Sequence, residues 1–209
     1  MTDIFDVDHT LLKGNISWEY GKLLFKEGHI SPWKMALLVS SYFLHKGGLI
    51  SMEAVHKASF IIFFKNRKFD RDHINRFLDS LKFNPLVLNR LKNDPGEKIL
   101  LSSSPDFLIG PLADKLSIKR WGATRYLIDK DQMICEISSV MDGAKKADYL
   151  KHLNIALDQA TFYTDHWLDM PVLEIVQRRC VVNPHAKLRK KAQRLGWEII
   201  DESSVSSYS

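Results

Sequence analysis

The chain is short of the features that define several protein classes. It has only two cysteines, Cys135 and Cys180, far too few for a disulfide framework, so a reducing, cytoplasmic setting is the simpler reading. No paired His or Cys spacing of the zinc type occurs, which argues against a zinc centre. No basic-then-apolar leader precedes the first expected strand, which begins by Ile4. The longest apolar run, Met35 to Leu44, is broken by Ser40 and Ser41 and falls short of the ~20 residues a spanning helix needs. No internal repeat is visible. These absences leave a soluble globular protein as the expectation.

What is present fits that class. At 209 residues, 45% hydrophobic and 26% charged, the chain has ordinary globular values. A chain of this length buries roughly 70% of its unfolded surface, enough for a core without metal or disulfide support. The net charge of +5 favours anionic partners without choosing among them. Lys187, Lys190, Lys191 and Arg194 recur at i, i+3, i+4, i+7 near the C-terminus, with Leu188, Ala192 and Leu195 on another face. A solvated helix face is the ordinary reading of that stripe, and contact with an anionic surface the alternative.

Ile4-Phe5-Asp6-Val7-Asp8 reads as a short buried strand. From Asn15 to Phe83 the pattern turns to helix after helix. Ser31-Pro32 opens one that runs to about His45, Gly47-Gly48 stops it, and Ser51 caps another ending near Asn66. Asp70 or Asp72 opens a third through Leu81. Gly14-Asn15 and Asn84-Pro85 bracket the block as expected hinges. Strands and helices then alternate: strand Lys98 to Ser102, helix Pro105 to Leu116, strand Arg120 to Arg125, and a hairpin around Asp129-Lys130-Asp131. Helix Lys145 to Leu153, strand Ala160 to Thr164, helix Leu168 to Val176, strand Cys180 to Val182, helix Lys187 to Leu195 and strand Trp197 to Ile200 follow. Such alternation predicts an α/β fold: a Rossmann-like, mainly parallel sheet with helices on both faces, plus an all-helical insert after the first strand. Residues 1–14 and 84–203 would form the core, 15–83 the insert and 204–209 a disordered tail.

Four loops carry chemistry. With 17 Asp and 5 Thr, the pattern D-x-D-x-T at Asp6, Asp8 and Thr10 is expected by chance roughly 0.03 times. On a strand, Asp6 and Asp8 would share one face, roughly 7 Å apart, at the end where open α/β sheets bind ligands. Leu100-Leu101-Ser102-Ser103-Ser104-Pro105 ends a second strand, with Ser104 as helix cap and the helix N-terminus favouring an anion. Lys145 and Lys146 sit in a first helical turn, against the macrodipole, where a bound phosphate or carboxylate would explain them. Thr164-Asp165-His166-Trp167-Leu168-Asp169 again places acids after an apolar strand. An oxygen-only, carboxylate-rich pocket suits Mg²⁺ completed by substrate phosphate.

Taken together, IFDVDHTLL, LLSSSP, GAKKADYL and FYTDHWLDMPVLEIV, followed by VVNPHAKLRKKA, resemble the haloacid dehalogenase superfamily of phosphohydrolases, in its phosphoserine-phosphatase-like branch. The resemblance spans Ile4 to about Ala192, and the insert's position is similar to that family's helical cap. It implies a Mg²⁺-dependent phosphatase acting on a small phosphomonoester, with no nucleic-acid partner. Asp6 would be the nucleophile and Asp8 the general acid and base. Asp6, the backbone carbonyl of Asp8, and Asp165 would hold Mg²⁺, with Asp169 in support. Thr10, Ser102, Ser103 and Lys146 would bind phosphate. Lys146 is preferred to Lys145 because an apolar residue, Leu150, follows four positions later.

The chain departs from the branch where Thr164-Asp165-His166 replaces Gly-Asp-Ser, and the insert lacks the Glu and Arg placement of phosphoserine phosphatases. Packing beside Trp167 is the plain expectation for His166. The insert's Trp18, Trp33, Phe43, Phe60, Phe63 and Phe64 are expected mainly as its own core. The alternative is a greasy entrance for a lipid phosphate, with the basic stripe near Lys190 in peripheral contact with an acidic membrane. A phosphotransferase and a non-catalytic phosphate-binding relative are the remaining readings.

Overall fold

A computed structural model describes residues 1–50 and 52–201, with backbone alone at 45, 46, 52, 53 and 56. The expected Ser51 cap and the Ser-rich tail lie outside the described residues. Seven strands form one sheet: β1 (Thr2–Asp6), β2 (Glu97–Pro105), β3 (Arg120–Ile128), β4 (Ile134–Ser139), β5 (Ala160–Thr164), β6 (Arg178–Val182) and β7 (Glu198–Ile200). Their order is β4-β3-β2-β1-β5-β6-β7, and only the β3–β4 pair is antiparallel. The chain steps outward from β1 through β2 and β3, then crosses back to β5 and steps the other way. The carboxyl ends of β1, β2 and β5 therefore meet at the topological switch point, where such sheets leave a crevice.

Every residue of β1 is buried, as expected for a central strand covered on both faces. Alternation divides it between two cores. Phe5 joins one face with α5 (Pro85–Asn93) and α6 (Asp106–Lys115), and stacks on Tyr163 at 4.5 Å. Ile4 joins the other face with α7 (Gly143–Lys151), α8 (Met170–Leu173) and α9 (Ala186–Leu195). The α/β class and mainly parallel sheet stand as expected.

Between β1 and α5 lie α1 (Ile16–Lys26), α2 (Pro32–Lys46), α3 (Met52–Ser59) and α4 (Arg71–Asp79). The segments entering and leaving this block run antiparallel. Lys13 N donates to Lys82 O and Asn84 N to Leu11 O, both at 2.9 Å. The block shares its apolar cluster with the first core face: Phe64 packs edge-on against Phe107 at 5.2 Å, and Phe60 lies 5.6 Å from Tyr126.

Several boundaries move. The first strand stops at Asp6, because Val7–Leu11 forms a wide turn closed by Leu12 N to Val7 O, with His9 at a φ of 57°. The expected 51–66 helix breaks at Ser59 into a similar turn, Phe60–Phe64, closed by Lys65 N to Phe60 O. Asn84-Pro85 is more than a hinge: Asn84 accepts from Leu86 N and Val87 N and so caps α5. β2 runs on to Pro105, so α6 starts at Asp106 and Ser104 is not its cap. The expected 168–176 helix shrinks to a tight turn, Trp167–Asp169, followed by the single turn of α8.

Candidate active site

Asp6 closes β1 and Asp169 follows β5, and both are buried. The backbone of Gly143 opens α7 close to the Trp167–Asp169 turn, since a Cβ there would lie 1.9 Å from Leu168 O. That close approach sets the start of α7, and three residues on Lys146 projects inward. Its Nζ donates to Asp6 Oδ1 at 2.6 Å and to Asp169 Oδ1 and Oδ2 at 2.9 and 3.1 Å. Lys146 is 3% exposed, whereas Lys145 faces solvent, so Lys146 is the one that reaches the acids. Thr164 Oγ1, at the end of β5, fixes Asp169 Oδ2 from the other side at 2.7 Å.

Burial pushes the Asp6 carboxyl well above the usual carboxylate range; Lys146 pulls it down, and Asp169, Asp165 and Asp8 push it up again. Burial opposes the charge on Lys146, yet Asp169 and Asp6 together hold its pKa above the ordinary lysine value. Burial also raises Asp165, against His166 and His9. The cluster thus gathers several carboxylates around one ammonium group.

Asp8 is turned away from that trio. Its Oδ2 accepts from Ser104 Oγ at 2.7 Å and Ser102 Oγ at 3.2 Å, and its Oδ1 from Ile16 N at 2.7 Å. Ser17 Oγ lies 3.0 Å from Ser104 Oγ. The first turn of α1 therefore reaches Asp8 directly through Ile16 and indirectly through Ser17. Asp8 is not the strand-face neighbour of Asp6 that a continued strand implied, because the turn after Asp6 redirects it.

Two of the residues expected to meet phosphate have protein partners. Thr10 is fully buried and donates to Asp165 Oδ1 at 3.3 Å, tying the first loop to the fourth. Ser103 is exposed and donates to Met141 O at 2.7 Å. His166 is also exposed, and its Nδ1 accepts from Leu168 N at 3.2 Å. Trp167 is covered instead by Lys187 and Lys191, whose Nζ atoms lie 3.9 and 5.3 Å from its ring centroid, so half of the basic stripe faces an aromatic ring. Sequence reasoning missed Ser104 and Thr164 as partners of the acids, and Ser17 as the partner of Ser104. Ser104 carried a signal, but a Ser before Pro reads first as a cap.

No group of three or more His, Cys, Asp or Glu side chains with metal-site geometry occurs among the described residues. A set of two carboxylates, Asp6 and Asp165, plus the Asp8 carbonyl does not need one. These oxygen-only donors fit a hard cation that keeps water and takes substrate oxygens. The surplus of carboxylates over cations at Asp6 favours the same occupant. Surface hollows of about 270 and 340 Å³ lie elsewhere, beside Arg71 and Trp121 and beside Arg179 and Trp197.

Acids at the ends of β1 and β5, a buried lysine from α7 and serines from β2 gather at one switch point. The family model for haloacid dehalogenase-like hydrolases matches residues 4–174, and the chain belongs to that family. A phosphoserine phosphatase of Mycobacterium tuberculosis (strain H37Rv) is 25% identical to this chain over 94% of its length and 69% of that relative. The fold is similar to a substrate-bound phosphoserine phosphatase complex, with a TM-score of 0.69 at 14% identity over 99% of this chain and 97% of that one. A Bordetella pertussis Tohama I protein of unknown function gives 0.81 at 20% identity, over 96% and 97%. A probable phosphatase of Mycobacterium tuberculosis (strain H37Rv) is 30% identical over 109 residues, 50% of this chain and 38% of that relative. The match thus spans well under half of that relative's length.

Proposed function

We propose that the chain is a Mg²⁺-dependent phosphatase that hydrolyses a small phosphomonoester through a phosphoaspartate on Asp6. Residues 15–83 act as a helical cap over the site. The observation that carries this reading is the convergence of Asp6, Lys146 and Asp169 within 3.1 Å contacts at the switch point, beside Asp165 and Asp8.

In the first step an Asp6 oxygen attacks phosphorus. The bond from phosphorus to the leaving oxygen breaks, and Asp8 delivers a proton to that oxygen. In the second step Asp8 takes a proton from water, the water oxygen attacks phosphorus, and the Asp6–phosphorus bond breaks to release phosphate. Lys146 positions Asp6 and offsets charge on the transferring group, and Ser102, whose hydroxyl donates to Asp8 at 3.2 Å from β2, would bind a phosphoryl oxygen. Asp169, held by Thr164, fixes Lys146. A bound Mg²⁺ on Asp6, Asp165 and the Asp8 carbonyl would supply Lewis-acid neutralisation of phosphoryl charge. The chain from Ser17 through Ser104 to Asp8 links the seating of the cap to the orientation of the acid.

The test is hydrolysis of a generic aryl phosphate with Mg²⁺ and with chelator. Turnover should require Mg²⁺ and disappear in Asp6→Asn. Hydrolysis that survives both chelation and Asp6→Asn refutes the mechanism.

A further inference from the structure

Most of α2 is out of place for a helix in water. Leu38 is 2% exposed and Met35 packs beside it on the insert's core, which anchors one side of the helix. At about 100° per residue the opposite side carries Val39, Phe43, Ala36, Ser40, Trp33, Leu44 and Leu37 across an arc of about 160°. Trp33 and Phe43 are 65% and 66% exposed, and Leu37 is 55%. Leu49, in the turn that follows, is 74% exposed. Contiguous exposure of this kind marks an interaction surface.

Three features say what it meets. First, the face is broad and convex, whereas a partner helix wants a narrow seam. Second, the hydroxyls that interrupt the apolar run are satisfied by the helix itself. Ser40 Oγ donates to Ala36 O at 2.8 Å and Ser41 Oγ to Leu38 O at 2.7 Å, which lowers the cost of leaving water. Third, the charge is one-sided. No Asp or Glu occurs between Glu27 and Glu53, while exposed Lys34 lies 5.8 Å from the Trp33 ring. Two copies of this segment would bring lysine against lysine, with no acid from positions 28–52 to answer either. Among the described residues no helix is long and apolar enough to cross a membrane. The pattern of a broad apolar face, an aromatic at its start and basic flanks is that of a helix lying in a lipid interface.

We propose that the outer face of α2 docks the chain on an anionic lipid surface, with Trp33, Leu37, Phe43 and Leu44 entering the interface and Lys34 meeting the headgroups. This places the membrane contact on the insert rather than on the basic stripe of α9.

The test is co-flotation of the full chain with phosphatidylcholine vesicles, with and without phosphatidylglycerol. Binding should favour the vesicles that contain phosphatidylglycerol and weaken with salt. A Leu37→Glu/Phe43→Glu double variant should partition about tenfold or more weakly, while its melting curve and its rate on a soluble aryl phosphate stay unchanged. Lys34→Glu should weaken binding to the acidic vesicles specifically. Absence of flotation with acidic vesicles overturns the proposal, as does flotation that the double variant leaves intact. A dimer in sedimentation that the double variant splits, with no vesicle binding, would assign the face to a second copy instead. Phosphate turnover plays no part in flotation, so an inactive chain that still floats would refute the phosphatase reading and leave this one standing.

Discussion

Replacing Lys146 with Met keeps most of the side-chain volume and deletes the buried cation. Asp6 and Asp169, whose side chains are 7% and 5% exposed, then face each other with no ammonium between them. The lost contacts are the 2.6 Å bond to Asp6 and the pair at 2.9 and 3.1 Å to Asp169. Removing one partner from a buried ion pair costs about 3–5 kcal/mol, because the remaining charge is stranded away from water. Met fills the stem's space, so no cavity cost adds to this. For a domain of this size each kcal/mol moves the melting temperature by about 2–4 °C, so Lys146→Met should melt about 6–20 °C lower in chelator at neutral pH. Circular dichroism melts measure it directly. Adding Asp6→Asn and Asp169→Asn to the same chain should recover most of the loss, and Mg²⁺ should recover part of it in the single variant. A Lys146→Met protein that melts within about 2 °C of the parent would refute the claim that this lysine holds the cluster together.

Two further perturbations probe the frame around the site. Gly143→Ala forces a methyl onto Leu168 O, where 1.9 Å is available, so the Trp167–Asp169 turn must shift and carry Asp169 with it. Stability should fall by about 1–3 kcal/mol in urea melts, and aryl phosphate turnover by about tenfold or more. Asp106 titrates above the ordinary aspartate range because burial disfavours its charge, although Phe107 N and Tyr126 N both donate to its Oδ1. A raised folded pKa means that the folded state holds the proton more tightly, so this residue's stabilising contribution is present at low pH and fades as pH rises through that value. Asn keeps the Oδ1 acceptor without the charge. Relative to Asp106→Asn, the parent should therefore lose stability as pH rises above the ordinary aspartate range in parallel urea melts; an opposite slope would contradict the assignment.

Much of the candidate site was legible because its residues sit where a local pattern ends. Asp6, Ser102 and Asp165 each follow an apolar run that can only be a buried strand, and Lys146 opens a helix against the dipole. What was not legible depends on partners far along the chain. Ser104 meets Asp8 across 96 residues, and Thr10 meets Asp165 across 155. A serine before a proline reads locally as a cap, and nothing local shows that β2 continues to Pro105 and turns that hydroxyl toward an acid. Asp8 misled for the same reason. Its spacing from Asp6 says one strand face, but the wide turn with His9 at positive φ redirects its carboxylate toward Ser102 and Ser104.

The order of strands and helices and the acids at their ends follow from hydrophobic periodicity and turn chemistry, which act over a few residues and are written in the chain. Which hydroxyl serves which carboxylate, which of two adjacent lysines is buried, and which face of α2 is left in water were decided only when the sheet brought distant segments into contact. Side-chain orientation at a strand end is set by whatever packs against it, and here that is chain from the other end of the molecule.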